Sequence, residues 1–244
     1  MKPVIHFQDF SFNYYLPDQN NTSLKFLLSN PFKIHKINKL NVFKKINLKL
    51  FKNEKVAFIG KNGSGKSTLI KIIDGVYKIY NGSLKLNGNI YAIYDLGLIL
   101  NDNFDAKDNI RIFLSSHGYR ISQIKDLEKK IINYCEFDEN IKKLPISKYS
   151  SGMKNRLILS CFIFLKMKKP YSLLFDEALV YSDQHFQKKI SKEIDKKIKD
   201  SKLFVMVSHN RDLLKKYCSS AVLFKSNNQL VKDKLQKILK IYDQ

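Results

Sequence analysis

The sequence predicts an α/β fold with an α-helical segment inserted in its middle, and three observations carry that prediction. A short apolar strand, Lys55–Ile59, leads straight into a glycine-rich loop and then into a helical pattern at Lys66–Val76. Two further apolar runs, Ser172–Phe175 and Leu203–Val207, read as buried strands. Between the glycine loop and those runs, most of the chain from Asp108 onward has helical periodicity. The order strand, loop, helix, helical insertion, buried strand, helix, buried strand is that of an α/β core carrying a helical subdomain. Its bounds are read as about 96–165 within a single domain over 1–244.

The elements follow in chain order. Val4–Phe12 alternates enough to be a strand. Residues 16–41 contain Pro17-Asp18-Gln19-Asn20-Asn21 and Ser29-Asn30-Pro31, and read as a loop-rich, partly helical insertion. Val42–Leu50 alternates Val42, Ile46, Leu48 and Leu50 with lysines and asparagines, a second strand. After the glycine loop, Leu69, Ile70, Ile72 and Ile73 fall at helical spacing. Asn81-Gly82 and Asn87-Gly88 punctuate short β segments. Ile110, Phe113 and Leu114, then Ile124, Leu127, Ile131 and Ile132, mark helices, and Met153–Leu165 is another. Gln184–Lys199 is a basic amphipathic helix. Ala221–Phe224 is a last strand before a lysine-rich C-terminal helix carrying Val231, Leu235, Ile238 and Leu239.

Composition narrows the class. With 244 residues, 44% hydrophobic and 27% charged, the chain is that of an ordinary globular protein and neither disordered nor fibrous. Cys135, Cys161 and Cys218 are far apart in apolar surroundings, so they read as reduced core thiols and not as a disulfide or metal framework. Lys2, Pro3, His6 and Asp9 break any signal-peptide pattern. The longest apolar run, Leu157–Leu165, falls short of the about 20 residues that a membrane span needs. Net charge is +22, almost all of it lysine; the arginines are Arg111, Arg120, Arg156 and Arg211. Scattered lysine reads first as solvated surface and secondly as attraction toward an acidic membrane leaflet or another polyanion. Specific reading of nucleic acid favours arginine and is not expected.

Three motifs carry chemistry. Gly60-Lys61-Asn62-Gly63-Ser64-Gly65-Lys66-Ser67-Thr68 has the spacing of a phosphate-binding loop and its strand-to-helix setting. Glycines let backbone N–H groups approach phosphate at a helix N-terminus. Lys66 then reaches the β- and γ-phosphates and the Ser67 hydroxyl ligates Mg²⁺. The bland alternative is a connecting turn. Leu173-Leu174-Phe175-Asp176-Glu177 is an apolar strand ending in two acids: Asp176 suits Mg²⁺ through water, and Glu177 suits a general base for an attacking water. Alone, such a pair is commonly a solvated turn. Val205-Met206-Val207-Ser208-His209 ends in a histidine placed to meet the γ-phosphate and that water, or to be merely structural.

Together with Ser150-Ser151-Gly152-Met153, these stretches resemble the Walker A, signature, Walker B and switch-histidine motifs of ABC-transporter ATPases, in the right order along nearly the whole chain. The spelling Tyr149-Ser150-Ser151-Gly152-Met153 resembles the branch that exports bacterial polysaccharides: O-antigen, capsule and teichoic acid. So do Asp176-Glu177-Ala178-Leu179, the long segment before Val42, and Lys107-Asp108-Asn109-Ile110. Two departures stand out. Ser182 replaces the family's glycine before the D-loop aspartate, Asp183, and no Q-loop glutamine is present, Asp95 in Tyr94-Asp95-Leu96-Gly97 standing closest.

The resemblance implies an ABC nucleotide-binding domain with an antiparallel β subdomain, working as a head-to-tail homodimer with two ATP molecules and Mg²⁺. Lys66 and Ser67 of one subunit would face Ser151 and Gly152 of the other. Tyr14 is the expected adenine-stacking aromatic, with Phe12 and Tyr15 as rivals. Asp183 would join the ATP site and Asp95 the metal. A separate multi-span permease docked near residues 95–118 would supply the membrane path, placing the chain peripherally on the cytoplasmic face of the inner membrane. With only a short stretch after Phe224, an added carbohydrate-binding domain is not expected. Rival readings are an exporter of lipids or small molecules, a non-transport ABC ATPase acting on DNA or ribosomes, and a catalytically dead regulatory subunit.

Overall fold

The computed structural model describes residues 2–17, 37–93, 100–179, 184–225 and 229–243. The chain divides into two compact units: Met1–Lys52 with Phe58–Asn87 and Ser220–Gln244, and Asn53–Ala57 with Gly88–Ser219. The expected mixture of parallel and antiparallel sheets with helices is what the chain forms.

In the first unit, β1 (Ile5–Pro17) pairs antiparallel with β2 (Ile37–Leu50). The strand β3 (Lys55–Gly60) ends in this unit and leads to the helix α1 (Lys66–Ile73) and to β4 (Asn81–Leu86), which completes a sheet of order β2-β1-β4. The sheet's buried face is set by Ile5, Phe7, Phe10 and Phe12 opposite Leu50, Leu48, Ile46 and Phe43. Phe7 to Phe10 and Phe43 to Ile46 are three-residue steps, which strict alternation would send to opposite faces. Left-handed Asp9 (φ 47°) and Lys45 (φ 50°) absorb the extra residue in each strand and keep the apolar set on one side. Gly82 (φ 85°) sits against the first of these bulges, where a Cβ would lie 2.3 Å from the Asp9 carbonyl oxygen.

The first hairpin departs from the sequence reading. Tyr14 to Pro17 and Ile37 to Leu40 are paired strand, so both ends of the expected 16–41 insertion belong to the ladder, and its middle lies outside the described residues. The neighbouring Pro17-Asp18-Gln19-Asn20-Asn21 and Ser29-Asn30-Pro31 suggest a loop, but backbone pairing overrides that reading at both ends. A second correction concerns Val231. It belongs to β9 (Leu230–Lys234), paired antiparallel with β8 (Ser220–Phe224), and the C-terminal helix α8 begins only at Leu235 and runs to Tyr242.

The second unit holds β5 (Asn89–Ile93), β6 (Tyr171–Asp176) and β7 (Leu203–Val207) in parallel, with Lys55–Ala57 of β3 beside β7. Every residue of β6 and β7 is buried, which is why both read as continuous apolar runs. Between β5 and β6 in the chain come α2 (Ala106–Ser116), α3 (Ile121–Cys135), the single turn α4 (Glu139–Lys142) and α5 (Ser151–Phe164). The Asp105 carboxylate caps α2 by accepting from the Asp108 N–H at 2.8 Å. Arg111 of α2 donates to Glu128 of α3 at 2.6 Å. After β6 come α6 (Gln184–Asp200) and α7 (Arg211–Tyr217).

All three cysteines are buried free thiols. Burial pushes Cys135 and Cys218 up to about 12 and Cys161 well above its ordinary value. Among the described residues no helix is long and apolar enough to cross a membrane.

Candidate functional site

The glycine loop is built from the end of β3 and the start of α1. Gly65 is the N-cap residue of α1 with φ 95°, and a Cβ there would lie 2.7 Å from the ring of Phe43. Only glycine satisfies both the backbone and the packing. Gly63, at φ 77°, has nothing within 4 Å of where its Cβ would be, so its outer face is open. Lys66 is 9% exposed, and its ammonium donates to the carbonyl oxygens of Gly60 at 2.8 Å and Lys61 at 2.9 Å, with the Ser64 Oγ at 3.5 Å. A cation is thus gathered into the loop beside the first backbone N–H groups of a helix, a combination that receives a phosphate anion. Lys61, Asn62, Gly63 and Ser67 are exposed around it. The residues fit a nucleotide's phosphates on open backbone and charge alone.

Tyr14 belongs to the same unit. Its hydroxyl lies 3.0 Å from the Thr68 hydroxyl, and its ring meets Phe12 at 5.1 Å and Tyr77 at 5.4 Å. Of its rivals, Phe12 is core and Tyr15 is 55% exposed. Tyr77 is absent from the sequence reading. Its phenol is held above its ordinary value first by the hydrogen bond with Tyr14. An isolated aromatic just past a helix end carries no pattern that would have marked it.

In the second unit, β6 delivers buried Asp176, and Glu177 comes next in the left-handed region at φ 52°. The Glu177 N–H donates to the Val207 carbonyl oxygen at 3.0 Å, fixing that strained residue to the end of β7. A left-handed glutamate is uncommon, and strain of this kind collects at functional positions. His209 is mostly exposed, with Nε2 3.8 Å from Glu177 Oε1. The residues on either side hold it: the Asn210 N–H donates to Ser208 Oγ at 3.1 Å, and the Asn210 side chain caps α7 by accepting from Asp212 at 2.9 Å and Leu213 at 3.2 Å. Sequence reasoning passed over Asn210 and α7, although an Asn before Arg-Asp and two leucines is a legible helix start.

The Ser-Ser-Gly-Met stretch opens α5. Ser150 is its N-cap, with Oγ accepting from the Met153 N–H at 3.2 Å, which leaves Ser151 exposed in the first turn and Gly152 half-buried. This end is stitched to the segment before α2. Lys154 Nζ pairs with Asp102 Oδ1 at 2.6 Å, and the N–H groups of Ile146 and Ser147 donate to Phe104 and Asp102. A cavity of about 310 Å³ beside the turn is lined by Ser150, Gly152, Met153 and Arg156 with Glu136 and Phe137.

The expected residues therefore fall into three placed groups: Tyr14 with Gly60–Thr68, Asp176 with Glu177 and His209, and Ser151 with Gly152. Asp95 and Asp183 lie outside the described residues.

Residues 43–180 match the ABC transporter family. An O-antigen export system ATP-binding protein of Klebsiella pneumoniae is 30% identical over 247 residues, covering 100% of this chain and 99% of that protein. A capsule polysaccharide export ATP-binding protein of Neisseria meningitidis is 27% identical, covering 81% and 88%. A teichoic acids export ATP-binding protein of Listeria innocua is 34% identical over 69% of this chain and 49% of its own length. Among solved structures, a dimeric ATP-binding cassette bound to ADP and phosphate superposes with a TM-score of 0.67 at 16% identity, covering 95% of this chain and 98% of the other.

Proposed function

We propose, starting from the fact that this chain belongs to the ABC transporter family, that it is the ATP-hydrolysing subunit of an exporter that moves a polysaccharide or lipid-linked glycan with a separate permease. The observation that carries the enzymatic half is the Lys66 ammonium gathered into a glycine loop at the N-terminus of α1. Support for the glycan half comes from relatives named for O-antigen, capsule and teichoic acid export. Both compact units are taken as parts of one nucleotide-binding domain.

In this reading, Lys66 and the loop N–H groups bind the β- and γ-phosphates, and Tyr14 stacks on adenine beside Tyr77. Ser67 Oγ and Asp176 are the residues that would hold Mg²⁺, which would supply neutralisation of charge on those phosphates. Glu177 accepts a proton from the attacking water as the new P–O bond forms and the bond to ADP breaks. His209, within reach of Glu177, orients that water and the γ-phosphate. Ser151 and the Gly152 N–H, at the N-terminus of α5, cap the γ-phosphate of a nucleotide held by a second copy, so ATP joins a head-to-tail dimer and hydrolysis releases it. The permease converts that cycle into transport from the cytoplasmic face of the membrane.

The test is Glu177→Gln in cells lacking the native chain. It should bind a fluorescent ATP analogue and dimerise, hydrolyse at least a hundredfold more slowly, and leave glycan off the cell surface. Full turnover in that variant removes Glu177 as the base. Normal surface glycan in cells that lack the chain altogether removes the export reading.

A further inference from the structure

The charge of +22 is unevenly placed. In the first unit the described carboxylates are Asp9, Asp74, Asp233 and Asp243, and no arginine or glutamate occurs there. Four of its lysines, Lys39, Lys44, Lys49 and Lys85, share one surface, the solvent face of the β2-β1-β4 sheet. His6 of the central strand pairs with Lys49 on one side and Lys85 on the other, a row straight across the sheet. Farther along the same face stand exposed Lys44 and the pair of Lys39 with Tyr15. From Lys39 to Lys49 the face is about 30 Å long at the usual rise per residue. One carboxylate interrupts it: Asp9, whose backbone N–H and Oδ1 are engaged by the Asn47 side chain at 3.0 and 3.4 Å. Between the strands runs a shallow groove of about 440 Å³ lined by His6, Gln8, Asn47 and Lys49.

Fold stability alone does not call for this arrangement. Charges at sheet edges discourage strand addition, but either sign does so, and like charges opposed across strands are unfavourable. The composition also suits a diffuse anionic plane more than a defined ligand. It consists of lysine point charges without the planar forks that grip single phosphates, spread along a sheet face with an exposed aromatic at one end.

We infer that the outer face of this sheet, through Lys39, Lys44, Lys49, Lys85 and His6, docks the chain on the anionic headgroups of a membrane leaflet. The choice of a bilayer over another polyanion rests on the export reading. The contact holds the ATPase at the membrane independently of its permease and weakens with salt.

The test uses the purified full chain, without permease, sedimented with vesicles of phosphatidylcholine alone or mixed with an equal amount of phosphatidylglycerol. Binding is expected to the mixed vesicles and not to the neutral ones. Each lysine near an anionic surface contributes about fivefold, so the triple variant K44T/K49T/K85T should lose roughly a hundredfold. The same positions changed to arginine should retain binding, and the threonine variant should keep its melting temperature and ATP turnover. A control of equal charge change, K188Q/K192Q/K199Q on α6, should lose much less. Equal loss in the control would show diffuse attraction and overturn the proposal. So would absence of wild-type binding, or duplex DNA that displaces the vesicles and depends more strongly on the same lysines. A chain that binds vesicles through this face but hydrolyses no ATP would refute the export reading and leave the surface standing.

Discussion

Gly65→Ala is the sharpest test of how the phosphate loop is built. A left-handed backbone costs a residue with a side chain about 1–2 kcal/mol. The new methyl would also lie 2.7 and 2.9 Å from two atoms of the Phe43 ring and 3.1 Å from Val42. Phe43 is 2% exposed and cannot swing into solvent. Overpacking of this kind costs about 1–3 kcal/mol, so the total is about 2–5 kcal/mol. Phe43→Leu deletes the ring atoms that clash while leaving the backbone cost. In a double-mutant cycle by urea unfolding, the two changes should therefore couple by about 1–3 kcal/mol, the double variant being more stable than additivity allows. Because Lys66 comes directly after Gly65, ATP binding should fall at least tenfold in both the single and the double variant. Strict additivity, or a Gly65→Ala protein with an unchanged urea midpoint, would refute the account of this glycine.

The remaining groups give further outcomes. Ser150→Ala removes the acceptor for the Met153 N–H, should cost about 1 kcal/mol, and should speed hydrogen exchange at that amide; unchanged protection would deny the cap. Asn210→Ala removes the acceptor for Asp212 and Leu213, and should lower ATP turnover several-fold with little change in ATP affinity, since it loosens the segment holding His209; an equal fall in both would point to general damage. Cys135 and Cys218 titrate near about 12 when folded, whereas an unfolded thiol titrates near about 8.5. The unfolded chain therefore loses those protons first, and stability should fall as pH rises from about 8.5 to 10, by up to about 1.4 kcal/mol per pH unit per thiol. A flat urea midpoint over that range would contradict it, as would rapid labelling of the native thiols by a disulfide reagent.

How much of the fold and site was legible in the sequence depends on the physics of each signal. Gly60–Thr68 could be read because its chemistry is local: glycines, lysine and hydroxyl at fixed spacing act within one turn. The runs of β6 and β7 could be read because burial on both faces leaves no polar position. The hairpin ends at Tyr14–Pro17 and Ile37–Leu40 could not, since their strand state comes from pairing across a separation that composition does not encode. The lysines of β2 and β4 looked scattered for the same reason. Lys49 and Lys85 are far apart in the chain, and only the ladder through His6 sets them in one row.

The pairing of Glu177 with His209 shows where local reading gives way to topology. No motif spacing states how far apart they lie, yet the sheet sets it. Asp176 is in register with Val207 on adjacent parallel strands, so the segments leaving the two strand ends start about one strand spacing apart, roughly 4.8 Å. Two local devices then close the remaining distance. The left-handed turn at Glu177, anchored on the Val207 carbonyl, redirects the carboxylate at the point where β6 ends. The Asn210 cap starts α7 immediately after His209 and stops that segment from continuing away with the strand. The Nε2 to Oε1 distance of 3.8 Å is thus the product of a strand pitch, one strained backbone and one helix cap. On the roles proposed for Glu177 and His209, a change at Asn210, which supplies no catalytic group, should therefore reach the chemistry through His209, whereas a change at the buried Phe175 should reach it through the sheet and through stability at once.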